Sequence, residues 1–302
     1  MLLRLLQASP DRGMEPAVIA LLPGGDIAAR IAALGIPVQT LGLRRALVGP
    51  GAVARLSAEI RRLGPDVVQT WMYHADLLGG LAARLAANPP LVWGVHNTDL
   101  DPRLTKASTR AVVRACALFS HMLPRRIISC SEVAVPVHRR LGYAGCKFTV
   151  IPNGFDTEVF RPDTMSRASV RHELGIDAQT LLVGLVARFD PQKDHANFIR
   201  AAALTAVSAD ARFVLVGAGC DPENERLRTC LREFGIGGRF HLLGLRQDTP
   251  RVMAALDVAV TASAYGEAFP LVVGEAMSCG VPCVVTDVGD CGAMVGDTGY
   301  LV

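Results

Sequence analysis

The sequence has no apolar stretch approaching the roughly 20 residues that a membrane-spanning helix needs, although half of its 302 residues are hydrophobic. Its eight cysteines form no Cys-x-x-Cys pair, so their spacing indicates neither a zinc site nor a disulfide framework. Lysine is scarce, at three against 28 arginines, and the net charge of +3 is too small to indicate a nucleic-acid partner. These absences favour a reducing compartment. We expect a cytoplasmic protein without a secretion signal.

Short β-branched stretches alternate with segments of helical periodicity along the chain, which is typical of βαβ units and a parallel sheet. The predicted strands are 15–22, 36–41, 66–71, 91–96, 126–131, 147–154, 180–189, 211–217, 239–244, 257–263, 281–287 and 299–302. An extended, proline-containing segment interrupts the alternation after residue 154. We therefore predict two α/β domains of Rossmann type, 1–155 and 156–302.

Residues 266–287 combine a loop, a helix, a turn and a strand, and they organise the second half. Pro270 suits the first turn of a helix that ends near Gly280. Two carboxylates, Glu267 and Glu275, flank the start of this helix with seven residues between them. A helix start has free N–H groups and a partial positive charge that suit a phosphate. Carboxylates beside it accept hydrogen bonds from sugar hydroxyls, so this stretch predicts a nucleotide-sugar site.

The pattern E-x-F-P-L-V-x-x-E-A-M-S-x-G-x-P-x-V at 267–284 resembles the retaining glycosyltransferases of family 4. The resemblance implies the GT-B fold, with two facing Rossmann-like domains and parallel sheets. It also implies transfer from a nucleotide sugar, bound mainly by the second domain, to a saccharide or lipid-linked acceptor, with retention. We expect no metal or other cofactor, because cationic side chains could take over the role of a metal. Family members have a strand and a Gly-Gly loop before the first helix and further helices at the end. We therefore expect a chain truncated at both ends.

Two cations stand at and just beyond the end of the predicted strand 180–189, in the order Arg-x-x-x-x-Lys. Arg188 and Lys193 stand where ligands bind in open parallel sheets, and the family resemblance makes them ligands of the donor diphosphate. Both residues would stabilise the leaving group electrostatically. The alternative is a solvated loop, which the surrounding motif disfavours.

The resemblance assigns further donor contacts around the organising helix. It predicts that Glu275 accepts bonds from the ribose and that Glu267 holds hydroxyls of the transferred sugar. Phe269 and Leu271 would present backbone N–H groups, and Val272 belongs to the same positive helix start. Gly217, in the short Gly-x-Gly segment after strand 211–217, is predicted to make a backbone contact to the base or phosphate. The Gly-x-Gly pattern alone is a weak signal.

Two histidines lie at strand ends of the first half. His96 ends the strand LVWGVH, where the family has a histidine that contacts the donor sugar, so we predict the same role; a structural histidine is the competing interpretation. His74 either lines the acceptor side or caps a helix together with Asp76. Asn153-Gly154 matches the family's Asn-Gly-x-Asp, which we interpret as a structural turn.

Pairs of arginines are confined to the first half. They are Arg44-Arg45, Arg61-Arg62, Arg125-Arg126 and Arg139-Arg140. Such pairs are usually solvated, but they also suggest peripheral contact with anionic lipid at the inner face of the membrane.

Two other functions stay open: a GT-B nucleotide-sugar epimerase and a non-catalytic remnant. The sequence leaves the base, the sugar and the acceptor open.

Overall fold

A computed structural model describes residues 1–9, 13–43, 49–98 and 105–302. Within these ranges the chain forms two compact units. The first contains the described residues up to 96 and from 105 to 151, and the second contains 152–302, with which 97–98 are grouped. Arg44-Arg45 lie outside the described residues.

The first unit alternates short strands with helices. Its strands are β1 (Val18–Ala20), β2 (Val38–Thr40), β3 (Val68–Trp71), β4 (Leu91–Val95), β5 (Arg126–Ser129) and β6 (Phe148–Val150). Its helices are α1 (Leu2–Gln7), α2 (Asp26–Ala32), α3 (Pro50–Leu63), α4 (Tyr73–Leu85), α5 (Ala107–Ser120) and α6 (Ala134–Arg140). Strands β1 and β2 form a parallel pair, and β3 to β6 form a four-stranded parallel sheet in chain order.

The core of the first unit lies between this four-stranded sheet and its helices. Trp93 on β4 and Ile127 on β5 are fully buried. Helix α4 packs closely because small residues face its neighbours: a Cβ at Gly80 would come within 3.4 Å of Leu91 and Trp93 side-chain atoms. Burial on both faces explains the near-continuous apolar sequence of these parallel strands.

The second unit is a single parallel sheet with helices. Its strands are β7 (Leu181–Val186), β8 (Ala211–Val216), β9 (Phe240–Leu242), β10 (Val258–Thr261), β11 (Cys283–Val285) and β12 (Tyr300–Leu301). Its helices are α7 (Thr164–Glu173), α8 (His195–Ser208), α9 (Glu225–Glu233), α10 (Thr249–Ala255), α11 (Leu271–Ser278) and α12 (Cys291–Val295). The strand order β12-β11-β10-β7-β8-β9 reverses direction between β7 and β10. Ligands of open α/β sheets bind at the carboxyl ends of the strands at such a switch point.

The predicted α/β class with parallel sheets is confirmed. Most strands are shorter than predicted; the predicted strand 15–22, for example, is reduced to Val18–Ala20. Two further differences concern helices. Pro270 is the N-cap of α11 with a ψ of 114°, and the helix begins at Leu271. Helix α12 was not predicted, because it has only five residues and its segment contains three glycines, which have low helix propensity. No helix in the described ranges is long and apolar enough to cross a membrane.

Candidate functional site

The loops that leave β7 and β10 meet at the switch point of the second sheet. Lys193, from the β7 loop, forms an ion pair with Oε1 of Glu267, from the β10 loop. The hydroxyl of Ser263 donates to the same Oε1 over 2.6 Å. The Lys193 and Glu267 side chains are only 16% and 9% exposed. Two residues singled out in the sequence are thus brought together, and Ser263 joins them.

Local hydrogen bonds give the β7 loop its shape. The carboxylate of Asp190 accepts from the amide of Gln192 over 2.9 Å and begins the 3₁₀ turn Pro191–Lys193. This bond, together with the neighbouring Arg188, lowers the pKa of Asp190. The carbonyl of Gln192 accepts from the amide of Ala264 over 2.9 Å. That bond ties the β7 loop to the β10 loop and fixes the approach of Lys193 to Glu267.

Arg188 differs from Lys193 in its exposure. Its side chain is 58% exposed, with Nε 3.3 Å from Oδ2 of Asp190 and a terminal nitrogen 3.2 Å from Oε1 of Gln192. Both partners belong to the same loop, so the guanidinium stays at the carboxyl edge of β7. An exposed guanidinium has N–H groups available for a phosphate.

The Glu267 loop is backed by the segment after β11. The amide of Asp290 donates to the carbonyl of Ala268 over 2.9 Å. A Cβ at Gly289, whose φ is +61°, would lie 2.3 Å from the carbonyl oxygen of Glu267. Only glycine allows this approach. The segment after β11 therefore packs against the backbone of Glu267 and stabilises its position.

Helix α11 presents its N-terminus beside this loop. The amide of Val273 donates to the carbonyl of Pro270 over 3.2 Å. The amides of Leu271 and Val272 precede that first intrahelical bond, so they are orphan donors of the kind that bind anions. Glu275 lies one turn further along the helix and is 7% exposed.

Phe269 and Phe155 connect the predicted Asn-Gly-x-Asp turn to this helix. Their rings stack at a centroid distance of 6.0 Å, and the side-chain Nδ2 of Asn153 donates to the carbonyl of Phe269 over 3.3 Å. A Cβ at Gly274 would lie 2.1 Å from the Phe155 ring. Sequence reasoning missed this contact; the glycine directly before Glu275 was the one signal that could have revealed it.

Gly217 directly follows β8 and packs against the backbone of the residue that follows β7, Ala187. Its φ is +143°, and a Cβ there would lie 2.2 Å from the carbonyl oxygen of Ala187. Its amide donates to the carbonyl of Gly244 over 2.8 Å. The predicted contact with the nucleotide therefore needs a part of Gly217 other than this amide, and it stays a prediction.

His96 lies in the first unit, directly after β4. Its ring stacks on Trp71 with a centroid distance of 4.9 Å and an interplanar angle of 5°. A Cβ at Gly94 would lie 3.3 Å from Nε2 of His96, so the glycine leaves room for the ring. Burial lowers the pKa of His96, which favours a neutral imidazole at pH 7.

Asp76, considered with His74 as part of a helix cap, lies in the interior of the first unit instead. Helix α4 begins at Tyr73 without a side-chain cap, and Asp76 is fully buried. Its Oδ1 accepts from the hydroxyl of Thr70 over 2.5 Å. Burial raises the pKa of Asp76 to about 8, so the carboxyl is mainly protonated at pH 7.

A groove of about 760 Å³ also lies in the first unit. It is lined by Leu91 and Arg126, which begin β4 and β5, and therefore lies at the amino ends of the strands. Lys147 on its wall donates to the carbonyls of Ser120, at the end of α5, and of His121 and Pro124, just beyond it. The groove is at the edge where parallel sheets do not bind ligands.

No cluster of metal-ligating side chains occurs within the described ranges. The sequence contains Asp99-Leu100-Asp101, an Asp-x-Asp of the type that can hold a divalent cation, and this tripeptide lies outside those ranges. The expectation of a metal-free protein stays a prediction.

Family models match both halves of the chain. Residues 1–159 match Glycosyltransferase Family 4, and residues 180–302 match Glycosyl transferases group 1. The switch-point site lies within the part of the chain that matches Glycosyl transferases group 1. The chain belongs to glycosyltransferase family 4.

Two curated relatives act on lipid-linked sugars. The chain is 31% identical to the UDP-Gal:alpha-D-GlcNAc-diphosphoundecaprenol alpha-1,3-galactosyltransferase of Escherichia coli, over 74% of this chain and 58% of that protein. It is 27% identical to the N,N'-diacetylbacillosaminyl-diphospho-undecaprenol alpha-1,3-N-acetylgalactosaminyltransferase of Campylobacter jejuni, over 95% and 77%. The chain thus spans between about half and three quarters of the length of these relatives.

Among solved structures, Anabaena HepE is similar over the whole chain. The complex with UDP has a TM-score of 0.83 at 26% identity, and the complex with UDP-glucose has 0.82 at 25%. Each comparison covers 100% of this chain and 81% of HepE.

Proposed function

We propose that this protein transfers a glycosyl group from a nucleoside-diphosphate sugar to a hydroxyl acceptor. The observation that carries the proposal is the meeting of Lys193 with Glu267 at the switch point, beside the N-terminus of α11, which no side chain of the described residues caps. A cation and orphan helix amides suit a diphosphate, and a carboxylate suits sugar hydroxyls. One site thereby offers complementary groups to both halves of a nucleotide sugar.

The proposed chemistry is leaving-group stabilisation. As the bond between the anomeric carbon and the diphosphate oxygen breaks, negative charge grows on the diphosphate. Arg188, Lys193 and the amides of Leu271 and Val272 would stabilise that charge electrostatically. Glu267 would orient the sugar, and Glu275 would hold the ribose. His96 would contact the donor sugar as a neutral donor or acceptor.

UDP is the nucleotide that we propose. Support comes from HepE, whose structures contain UDP and UDP-glucose, and from the E. coli relative, whose name specifies UDP-galactose. For the acceptor we propose a sugar linked to a polyprenyl diphosphate, because both curated relatives act on such acceptors. The biological setting would be the synthesis of a cell-surface polysaccharide or glycolipid.

A lipid-linked acceptor requires an approach to the membrane, and we propose peripheral contact through exposed arginines of the first unit. Arg61, Arg62 and Arg139 bond to neighbouring groups of the protein. Arg125 and Arg126 are exposed, and among the described residues no ion pair engages them. The protein should co-sediment with liposomes that contain anionic lipid, and the double substitution Arg125→Gln/Arg126→Gln should reduce the co-sedimented fraction. Unchanged sedimentation would remove this part of the proposal.

Transfer itself is tested by incubating the protein with UDP-glucose, UDP-galactose or UDP-N-acetylgalactosamine and a polyprenyl-diphosphate-linked N-acetylhexosamine. We expect release of UDP that depends on the acceptor, and a product whose anomeric proton in NMR shows the donor's α configuration. Such a product supports retention, whereas a β product would indicate inversion. An epimerised nucleotide sugar formed without acceptor would favour the epimerase instead.

A further inference from the structure

The carboxylate of Glu267 is bonded unequally at its two oxygens. Oε1 accepts from both Lys193 and Ser263. No bond to Oε2 is found among the residues that the structure describes, although the Glu267 side chain is 91% buried by neighbouring groups. A carboxylate of this kind has one oxygen used by the protein and one available to a ligand.

Ser263 is itself held firmly. It follows β10 and is 1% exposed. The hydroxyl of Thr286, at the end of β11, donates to the carbonyl of Ser263 over 2.6 Å, and the amide of Thr286 donates to the carbonyl of Thr261 over 3.0 Å. Adjacent strands therefore fix the backbone of Ser263, so that its hydroxyl has a defined position beneath the carboxylate.

Ser263 and Lys193 both donate to Glu267, but they differ in the other groups that they can bind. The Lys193 ammonium has three donors, and in the proposed function it also serves the donor diphosphate. Its N–H donors therefore have to be divided between Glu267 and the ligand. The neutral hydroxyl of Ser263 is buried, and among the described residues it donates to Glu267 alone. It can keep Oε1 in place while Lys193 turns toward the diphosphate.

We infer that Ser263 is a positioning residue that orients Glu267 so that Oε2 faces the transferred sugar. This inference rests on the proposed function. It assigns Ser263 no contact with the nucleotide or the sugar and no part in bond breaking. Its effect is confined to the carboxylate, so it should change recognition of the sugar and leave recognition of UDP alone.

The test compares UDP with a UDP-sugar on Ser263→Ala. Calorimetry would measure binding of UDP and of UDP-glucose, UDP-galactose or UDP-N-acetylgalactosamine, whichever the wild-type protein binds most tightly. We expect the dissociation constant of UDP to change less than about twofold. The dissociation constant of the UDP-sugar should rise roughly fivefold, which corresponds to the net loss of one typical hydrogen bond, and kcat should fall by at least as much.

Ser278→Ala is the matched control. Its hydroxyl also donates within the second unit, to the carbonyl of Gly274 over 2.7 Å, but not to a carboxylate, so both dissociation constants should stay unchanged. Melting temperatures of both variants identify any loss of folding. A second check is Ser263→Ala in a Glu267→Ala background, where the serine substitution should have no further effect on UDP-sugar binding.

The outcomes separate the two claims. If the wild-type protein binds neither UDP nor any of the three UDP-sugars, the proposed function is wrong and the inference with it. If the wild type binds both but Ser263→Ala binds the UDP-sugar normally, only the positioning role is wrong. Equal weakening of UDP and UDP-sugar, or full additivity with Glu267→Ala, would likewise contradict that role.

Discussion

The imidazole of His96 lies parallel to the indole of Trp71, with ring centroids 4.9 Å apart and planes inclined by 5°. Parallel pairing in the β3–β4 register brings the ends of the two strands side by side, with Trp71 opposite Gly94. The indole covers one face of the histidine, and Gly94 leaves space at its Nε2 edge. The ring is therefore oriented by its surroundings before any ligand arrives.

Replacing Trp71 by leucine should disturb His96 without disturbing the nucleotide site. The change removes the flat surface on which the imidazole rests, so we expect kcat to fall about tenfold, in line with the cost of a misplaced active-site group. UDP binding should be unchanged. Steady-state kinetics with calorimetry would measure both, and Trp71→Phe, which keeps an aromatic face, should lose less. A Trp71→Leu protein with wild-type kcat would show that the stacking is irrelevant to the reaction.

The buried Asp76 should make stability depend on pH. Its pKa of about 8 exceeds the value near 4 that an exposed aspartate has, so the folded state keeps a proton that the unfolded state releases. This protonation favours folding fully below pH 4, and the advantage is lost as the pH rises toward 8. Asp76→Asn keeps an oxygen for Thr70 and removes the titration.

We therefore expect Asp76→Asn to stabilise the protein relative to wild type at pH 8, by on the order of a few kcal/mol, and much less at pH 5. Urea unfolding at the two pH values would measure the difference. If wild type and variant respond identically to pH, Asp76 is ionised in the folded protein and the pKa argument is wrong.

Gly274 should not tolerate a side chain. A Cβ at this position of α11 would lie 2.1 Å from the Phe155 ring, so Gly274→Ala should destabilise the protein by about 1–3 kcal/mol. Gly51 in α3 is the matched control, because nothing lies within 4 Å of its Cβ position. There the higher helix propensity of alanine should stabilise by up to about 1 kcal/mol.

Thermal unfolding of the two alanine variants measures these opposite signs. The double variant Gly274→Ala/Phe155→Leu should recover part of the loss, since the smaller side chain leaves room for the methyl group. Equal responses at Gly274 and Gly51 would mean that Phe155 does not pack on the helix.

The order of the βα units and the candidate residues could be predicted from the sequence, because periodicity and local motifs report on each segment separately. The Arg188-to-Lys193 spacing and the Glu267-to-Glu275 spacing are local patterns of this kind. That Lys193 bonds Glu267 follows from the strand order, in which β10 lies beside β7 although β8 and β9 intervene in the chain. Periodicity does not encode that order.

The contacts that support the candidate residues could not be predicted from the sequence, for a related reason. Ser263 has no motif that distinguishes it from an ordinary strand-end serine, and its role depends on where the carboxylate of Glu267 points. The stacking of Trp71 on His96 depends on strand register. Asp76 looked like a helix-cap residue in sequence, and only its complete burial shows that it belongs to the interior.

In the proposed function, the second unit binds the diphosphate of a nucleotide through Arg188 and Lys193. Calorimetric titration of UDP, GDP and ADP into the wild-type protein and into Arg188→Ala/Lys193→Ala tests it most directly. Arg139→Ala/Arg140→Ala, with the same loss of charge in the first unit, is the control. We predict that UDP binds to wild type and to the control, and that the Arg188/Lys193 variant binds it at least tenfold more weakly because two charge-assisted contacts are lost. Equal UDP affinity in all three proteins, or no binding of any of the three nucleotides by folded wild type, would contradict the account.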